Sequence, residues 1–389
     1  MKIIPYSKQF ISKKDKLEVN KVLSSDFITS GPKVELFEKK VKTFSNAKYA
    51  VAVNSATSAL HIACMSLGLK SNDLLWTVPN SFVASANCGL YCGAKIDFVD
   101  IDNDTLNISI NQLEQKLISS HKRKKLPKIL VVVHFAGASC EMDRIKKLSN
   151  KYKFRIIEDA SHAIGGDFNN YKVGSCKYSD ITVFSFHPVK IITSGEGGMA
   201  TTNDENLAAT MRDFRSHGIT KDSKKFLTDT FGPWYYEQQT LGFNYRMTDL
   251  HASLGLNQLD RIDTFIEKRH SLAKRYNTLL AGLPITLPFQ LIDTYSAFHL
   301  YIIWIDFQQL SLSQAEAFKF LMDRNIGVNL HYIPVYKHPY YHKLGFHDNY
   351  CEEAERYYSG AISIPIFSSL SHEDQDTVIF VLKEMLQSK

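Results

Sequence analysis

The chain has 389 residues, 44% of them hydrophobic, and carries 46 basic against 40 acidic side chains for a formal net charge of +6. That supplies apolar material for a large domain plus a smaller one and excludes a disordered chain. The charge is spread along the sequence, so it suits a small anion and gives no ground for nucleic acid; even the densest basic run, residues 122–125, reads as a solvated connection.

Residues 1–10 lack the apolar core of a signal peptide, and no later segment approaches the ~18 apolar residues of a membrane span, so a soluble cytoplasmic protein is expected. From about residue 50 to 205, short apolar runs alternate with helix-like segments, the pattern of strands joined by crossover helices. Strands are predicted near 50–53, 74–78, 95–99, 129–134, 155–158, 181–186 and 198–201, and these seven make one large sheet. Leu250, Leu254, Leu256, Leu259, Ile262 and Ile266 predict one long helix from about 248 to 280 that bridges to the C-terminal region. Beyond it come a predicted strand over 298–306 and helices over 313–324 and 372–386. The expected architecture is α/β, with a large domain over 1–250 and the bridging helix plus a small α+β domain over 251–389. Six cysteines, at 64, 88, 92, 140, 176 and 351, show neither CxxC pairs nor zinc-like spacing; free thiols and no metal site are expected.

After the first strand, Asn54-Ser55-Ala56-Thr57 opens a helix whose free amides suit a phosphate lined by Ser55, Ala56 and Thr57, although a plain helix cap fits the same residues. Phe82, at the end of the second strand, has a ring that would cover a flat heterocycle or serve as ordinary core. Strand 155–158 delivers Asp159 to the edge where α/β sheets bind ligands. A carboxylate buried there needs a cation such as a protonated pyridine nitrogen; capping the next element is the plain alternative. His162, three residues on, would touch such a ring's oxygen or phosphate, or simply pack. Ser185 would add a hydroxyl to the phosphate cup.

Lys190 emerges from an apolar strand before Gly195-Glu-Gly-Gly198, a sequence read as a hairpin turn. Loss of hydration lets a lysine pKa fall toward neutrality, which makes the amine competent for Schiff-base chemistry and proton transfer; a structural lysine snorkelling from a strand end is the plainer reading. Together these residues suggest pyridoxal phosphate (PLP). Before the bridging helix, Asn244-Tyr-Arg246-Met-Thr248-Asp249 exposes polar groups and offers Thr248 or Asp249 as its cap.

In register, the segments Thr29-Ser-Gly-Pro32, Asn54-Ser-Ala-Thr-Ser-Ala-Leu60, Ser81-Phe82-Val-Ala, Glu158-Asp159-Ala, Ser185-Phe186 with Lys190, Gly195-Glu-Gly-Gly198 and Asn244-Tyr-Arg246-Met resemble the DegT-like sugar-nucleotide aminotransferases over nearly the whole chain. The resemblance implies a fold-type-I PLP-dependent transferase with a mixed, mostly parallel seven-stranded sheet. It implies Lys190 as the Schiff-base lysine, Asp159 as the pyridinium partner, Phe82 as the stacking ring, and Ser55, Ala56 and Ser185 as phosphate ligands. Asn244 would reach the cofactor of a neighbouring subunit in a homodimer. His162 stands where many relatives carry glutamine. Lys190 argues against the family's dehydratases, which carry histidine there.

Within the family the chain looks most like the branch of the pseudaminic acid pathway that uses L-glutamate to aminate carbon 4 of a UDP-linked 4-keto-6-deoxy-N-acetylhexosamine. That likeness rests on Ser161-His162-Ala, Val183-Phe-Ser-Phe-His187, Arg215-Ser-His-Gly218 and Val328-Asn-Leu-His331-Tyr332-Ile-Pro334-Val-Tyr336. It implies that Arg246, His331 and Tyr332 contact the nucleotide diphosphate and sugar. Amination of another nucleotide-linked keto-sugar is the enzyme alternative. A PLP-binding regulator is the alternative from another class, and it would need a DNA-binding module for which the sequence shows no helix-turn-helix segment.

Overall fold

The computed structural model describes residues 2–229 and 232–387. All seven predicted strands form: β1 (Tyr49–Val53), β2 (Leu74–Thr77), β3 (Lys95–Phe98), β4 (Ile129–Val133), β5 (Arg155–Asp159), β6 (Ile181–Ser185) and β7 (Gly198–Thr202). They make one sheet in the order β1-β7-β6-β5-β4-β2-β3, parallel except for β7, which runs antiparallel to both neighbours. The helices of this region are α1 (Lys13–Leu23), α2 (Pro32–Ser45), α3 (Ala56–Ser66), α4 (Ala84–Tyr91), α5 (Ile110–Lys122), α6 (Met142–Tyr152) and α7 (Glu205–Arg215).

Strand periodicity explains why short apolar runs sufficed to find the sheet. Alternate residues enter cores on opposite faces. Val51, Val53, Val183 and Ala200 pack into one cluster, while Ala50, Ala52, Phe184 and Met199 pack into another. A strand buried on both sides carries no polar alternation, which is why β4 reads Ile-Leu-Val-Val-Val and is buried throughout.

The predicted bridging helix is two helices, α8 (Asp249–Leu259) and α9 (Ile262–Leu279). The apolar spacing continues across the break, so periodicity could not reveal it. Polar contacts anchor it instead. Asp15 of α1, fully buried, accepts hydrogen bonds from Asn257 Nδ2 (2.5 Å), Gln258 Nε2 (3.0 Å) and Arg261 Nη2 (2.6 Å). Arg261 leaves helical geometry at φ −114°, ψ 9°.

Downstream, β8 (Tyr301–Trp304) pairs antiparallel with β9 (Ala361–Ile364). The predicted strand 298–306 shortens at its start because Phe298 takes φ 44°. Helices α10 (Gln314–Asp323), α11 (Pro339–His342), α12 (Glu352–Gly360) and α13 (His372–Gln387) complete the chain. The residues Leu272, Tyr276, Tyr301, Ile303, Leu321, Ile364 and Leu382 share a third core, which Ile4 of the N-terminal arm joins. Backbone bonds from Ile4 N–H to Asn325 O (2.9 Å) and from Gly327 N–H to Ile4 O (2.7 Å) hold that arm down. Among the described residues no helix is long and apolar enough to cross a membrane.

Thr248, not Asp249, is the side-chain cap of α8, accepting from His251 N–H at 3.2 Å. Asp249 is fully buried and caps another helix from far along the chain. Its two carboxylate oxygens accept the N–H groups of Gly31 and Lys33, both at 2.7 Å, where α2 has no side-chain cap of its own. Replacing this carboxylate strands two amide donors at a helix N-terminus. Asp249→Ala is expected to lose about 2–3 kcal/mol of unfolding free energy in urea, and Asp249→Asn, which keeps one acceptor oxygen, about half of that; an unchanged midpoint for the alanine variant would refute the cap.

Candidate active site

Sheet register decides where the site lies. Val53 of β1 and Ser185 of β6 both pair with Gly198 of β7, while Asp159 of β5 pairs with Val183 of β6. The carboxyl ends of β1, β5 and β6 therefore meet at one edge, where a cavity of about 360 Å³ opens. A Cβ on Gly198 would lie 2.5 Å from the Ser55 carbonyl and 2.6 Å from Ala56 N, so only glycine lets β7 pass this close to the first turn of α3.

Ser55, Ala56 and Thr57 line one side of the cavity. Ser55 is the N-cap of α3, and its hydroxyl accepts Ser58 N–H at 3.1 Å. The first intrahelical bond is Ala59 N–H to Ser55 O, which leaves the Ala56 and Thr57 amides ahead of the ladder, at the positive end of the helix dipole. Cap and candidate anion site are thus the same turn. Ser185, nearly buried at the end of β6, adds its hydroxyl.

Asp159 and Lys190 line the cavity between those groups and its far wall. Asp159 Oδ1 accepts Ser161 N–H (3.1 Å) and Ser161 Oγ–H (2.6 Å), and Oδ2 accepts Ser85 Oγ–H (2.6 Å). Burial of the Lys190 amine outweighs the pull of the Asp159 carboxylate and brings its pKa down to about 8. Ser7 Oγ donates to Val189 O at 3.0 Å, so the N-terminal arm also fastens the peptide next to Lys190.

The remaining wall is aromatic. Phe82, 58% exposed, faces Tyr332 with ring centroids 6.3 Å apart, so it is a pocket ring rather than core. Tyr332 Oη lies 3.2 Å from His162 Nε2, and the buried His162 Nδ1 has no hydrogen-bond partner. His299 packs on His162 at 4.4 Å between centroids. Burial, reinforced by neighbouring positive groups that include Lys190, keeps both rings neutral, with pKa values well below the ordinary histidine range. His331 lines the cavity, yet both its ring nitrogens are engaged inside the protein. Asn329 Nδ2 can only donate, so His331 Nε2 accepts it (3.3 Å) and Nδ1 carries the proton toward Ser363 Oγ (2.8 Å).

Next to Asp159, Glu158 points to the opposite face of β5. It accepts from Ser179 Oγ, from Thr182 Oγ1 (3.0 Å) and from His134 Nε2 (2.6 Å). The other His134 nitrogen accepts Cys140 N–H at 3.2 Å, which leaves the single ring proton on Nε2 and makes this a neutral imidazole donating to an ionised carboxylate.

Of the residues singled out in the sequence, Ser55, Ala56, Phe82, Asp159, His162, Ser185, Lys190, His331 and Tyr332 come together around this cavity; Asn244 and Arg246 do not line it. Asn244 is exposed, in an isolated bridge with Ser216 on the segment that leads into α8. Tyr6 and His299 line the cavity without having been singled out, as do Ser161 and Asn329, which the sequence offered only as parts of longer runs with no role of their own. Tyr6 arrives on the N-terminal arm and His299 on the lead into β8, and no local pattern marked either.

A mostly parallel sheet with one antiparallel strand, presenting a softened lysine and a buried carboxylate at its carboxyl edge, is the architecture of the fold-type-I PLP-dependent transferases. The chain belongs to the DegT/DnrJ/EryC1/StrS aminotransferase family, whose profile matches residues 9–383, and it is an aminotransferase. It is 38% identical over 387 residues to the spore coat polysaccharide biosynthesis protein SpsC of Bacillus subtilis, covering 99% of this chain and 97% of that one. It is 37% identical over 388 residues to a UDP-4-amino-4,6-dideoxy-N-acetyl-beta-L-altrosamine transaminase of Campylobacter jejuni, covering 98% of each. Among solved structures, Helicobacter pylori PseC, an aminotransferase of pseudaminic acid biosynthesis, superposes with a TM-score of 0.91 at 32% identity over the full length of both chains. Spr1654 of Streptococcus pneumoniae, in its PLP form, superposes at 0.88 with 28% identity, covering 99% of each.

Lys190 makes folding itself pH-dependent. Its amine holds a proton up to the ordinary lysine value of 10.5 when unfolded but only up to about 8 when folded, so stability rises with pH across that window. Cofactor-free Lys190→Met is therefore expected to melt ~1–3 °C above the parent below pH 8, with the gain fading as pH rises from 8 to 10.5. Identical melting at pH 7 would show that the amine is not desolvated.

Proposed function

We propose that the protein is a PLP-dependent aminotransferase that moves the amino group of L-glutamate to carbon 4 of a UDP-linked 4-keto-6-deoxy-N-acetylhexosamine, working as a homodimer. The observation that carries the reading is the Lys190 amine, lowered to about pKa 8, in one cavity with the buried Asp159 carboxylate. The residues present fit the cofactor. The leading amides of α3 and the Ser185 hydroxyl suit its phosphate, Asp159 its ring nitrogen, Phe82 its face, and the unpartnered His162 Nδ1 its ring oxygen.

When bound, PLP supplies an electron sink for the bond broken at the amino-acid carbon. Lys190 Nζ would hold the cofactor through its aldehyde carbon and, once freed, would hold and move the proton of the substrate α-carbon. Asp159 would hold the ring nitrogen in its charged form. His162 and His299, whose pKa values burial holds well below the ordinary histidine range, are too weak as bases to compete with Lys190 for that proton. Glutamate leaves as 2-oxoglutarate in the first half-reaction, and the keto-sugar leaves as the amino-sugar in the second.

The nucleotide-sugar assignment is supported by the Campylobacter transaminase at 37% identity and by the likeness to PseC. SpsC, at 38%, supports a second reading in which another nucleotide-linked keto-sugar is the acceptor. Asn244 supports the homodimer, because a polar residue exposed outside its own cavity is free to enter a neighbour's.

The purified protein with PLP should show a yellow visible band that L-glutamate bleaches, and Lys190→Ala should not develop that band. No band in the wild type would overturn the cofactor; a band unmoved by glutamate would overturn the donor. Mass spectrometry after adding UDP-4-keto-6-deoxy-N-acetylhexosamines or other nucleotide keto-sugars then decides the acceptor. Asp159→Ala is expected to fold and to lose on the order of 10²-fold in turnover; unchanged turnover would refute the electron-sink role of that carboxylate.

A further inference from the structure

Ser85 lies on the first turn of α4 and is 1% exposed. Its Oγ is 2.6 Å from Asp159 Oδ2 and 2.6 Å from Ser81 Oγ. An ionised carboxylate can only accept, so Ser85 donates to Asp159. Ser85 has one hydroxyl proton, so in its contact with Ser81 it must be the acceptor. The three residues form a chain of one sense, Ser81 to Ser85 to Asp159. Ser161 occupies the other carboxylate oxygen through its own N–H and O–H. Asp159 is thereby clamped from two sides, by its own strand end and by α4. Hydroxyl-to-carboxylate bonds of this length are about twice as strong as neutral ones. Ser81 also immediately precedes Phe82, the exposed pocket ring, and is itself buried.

We infer that Ser85 is a positioning residue for the cofactor ring: it fixes the Asp159 carboxylate for the pyridine nitrogen and, through Ser81, ties that carboxylate to the loop that presents Phe82. The inference rests on the proposed PLP reading. Ser85 lines no part of the cavity and acts only through Asp159. Its removal should be felt by a ligand that has the ring nitrogen and not by one that lacks it. A merely structural serine would affect both ligands alike.

The test titrates cofactor-free wild type, Ser85→Ala, Ser85→Thr and Ser81→Ala with PLP and with its 1-deaza analogue, in which CH replaces the ring nitrogen. Binding is followed by visible absorption, and each apoprotein is melted in parallel. Ser85→Ala is expected to weaken PLP about tenfold while leaving the analogue within about twofold, and Ser85→Thr to restore PLP binding. Ser81→Ala, which keeps the Ser85 bond but removes its donor, should weaken PLP about threefold with the same dependence on the nitrogen. Equal weakening of both ligands, or no weakening of PLP in either alanine variant, overturns the inference with the PLP reading intact. Failure of the wild type to bind PLP overturns the reading on which it rests.

Discussion

Two carboxylates side by side end a strand in the middle of the sheet, and their burial constrains everything around them. Glu158 and Asp159 are 5% and 6% exposed, and successive strand residues must point to opposite faces. A buried carboxylate is costly unless it is fully hydrogen-bonded. Glu158 is satisfied from within by Ser179, Thr182 and a neutral His134, which together tie the end of β5 to the start of β6 and to the residue that follows β4. Asp159 receives three neutral donors and opens on a cavity. The same residue class thus has two fates on two faces. One carboxylate ties β5 to its neighbours inside the protein; the other opens on the cavity at the carboxyl edge, where a cationic ring nitrogen would balance its charge.

That edge works because distant segments arrive at one height. Val53, Ser185 and Gly198 sit in a row across three strands, and the missing side chain of Gly198 admits the turn that begins α3. A one-residue slip of β7 would turn every alternating core residue to the wrong face, and the slip that brings Met199 to this position would also put a Cβ into that turn. Packing in two separate cores therefore fixes the spacing between the α3 amides, Ser185 and Asp159. The position of the proposed phosphate cup relative to the carboxylate is a consequence of sheet register more than of any loop.

The strands were legible because burial on both faces writes itself into sequence as unbroken apolar runs. Lys190, Asp159 and Ser55 were legible because each follows such a run closely, at the edge where an α/β sheet binds ligands. The features that lay hidden depend on contacts across the chain. The break between α8 and α9 comes from Asp15, more than 240 residues before Asn257, and leaves the apolar period untouched. Asp249 looked like the cap of the helix it begins and instead caps α2, because the Gly31 turn passes beside it. Tyr6, His299 and Ser85 carry no motif; only the fold brings the arm, the lead into β8 and the first turn of α4 to one place.

The charge of the cavity also says what a single chain lacks. Its charged lining groups are Asp159, Lys190 and Glu196, and three of its four lining histidines, at 162, 299 and 331, are held neutral by burial, while the fourth, His187, is exposed. No arginine lines it among the described residues. The proposed donor, glutamate, would bring two carboxylates and the proposed acceptor a diphosphate, which one lysine committed to chemistry and mostly neutral imidazoles would hold weakly. The further cations such ligands need would come from outside this wall. Arg246 is on the same segment as Asn244, ahead of α8, and neither lines its own cavity. In the proposed homodimer that segment brings both a phosphate ligand and a guanidinium to the neighbouring site, which would make specificity for an anionic donor and a diphosphate acceptor a property of the pair of chains.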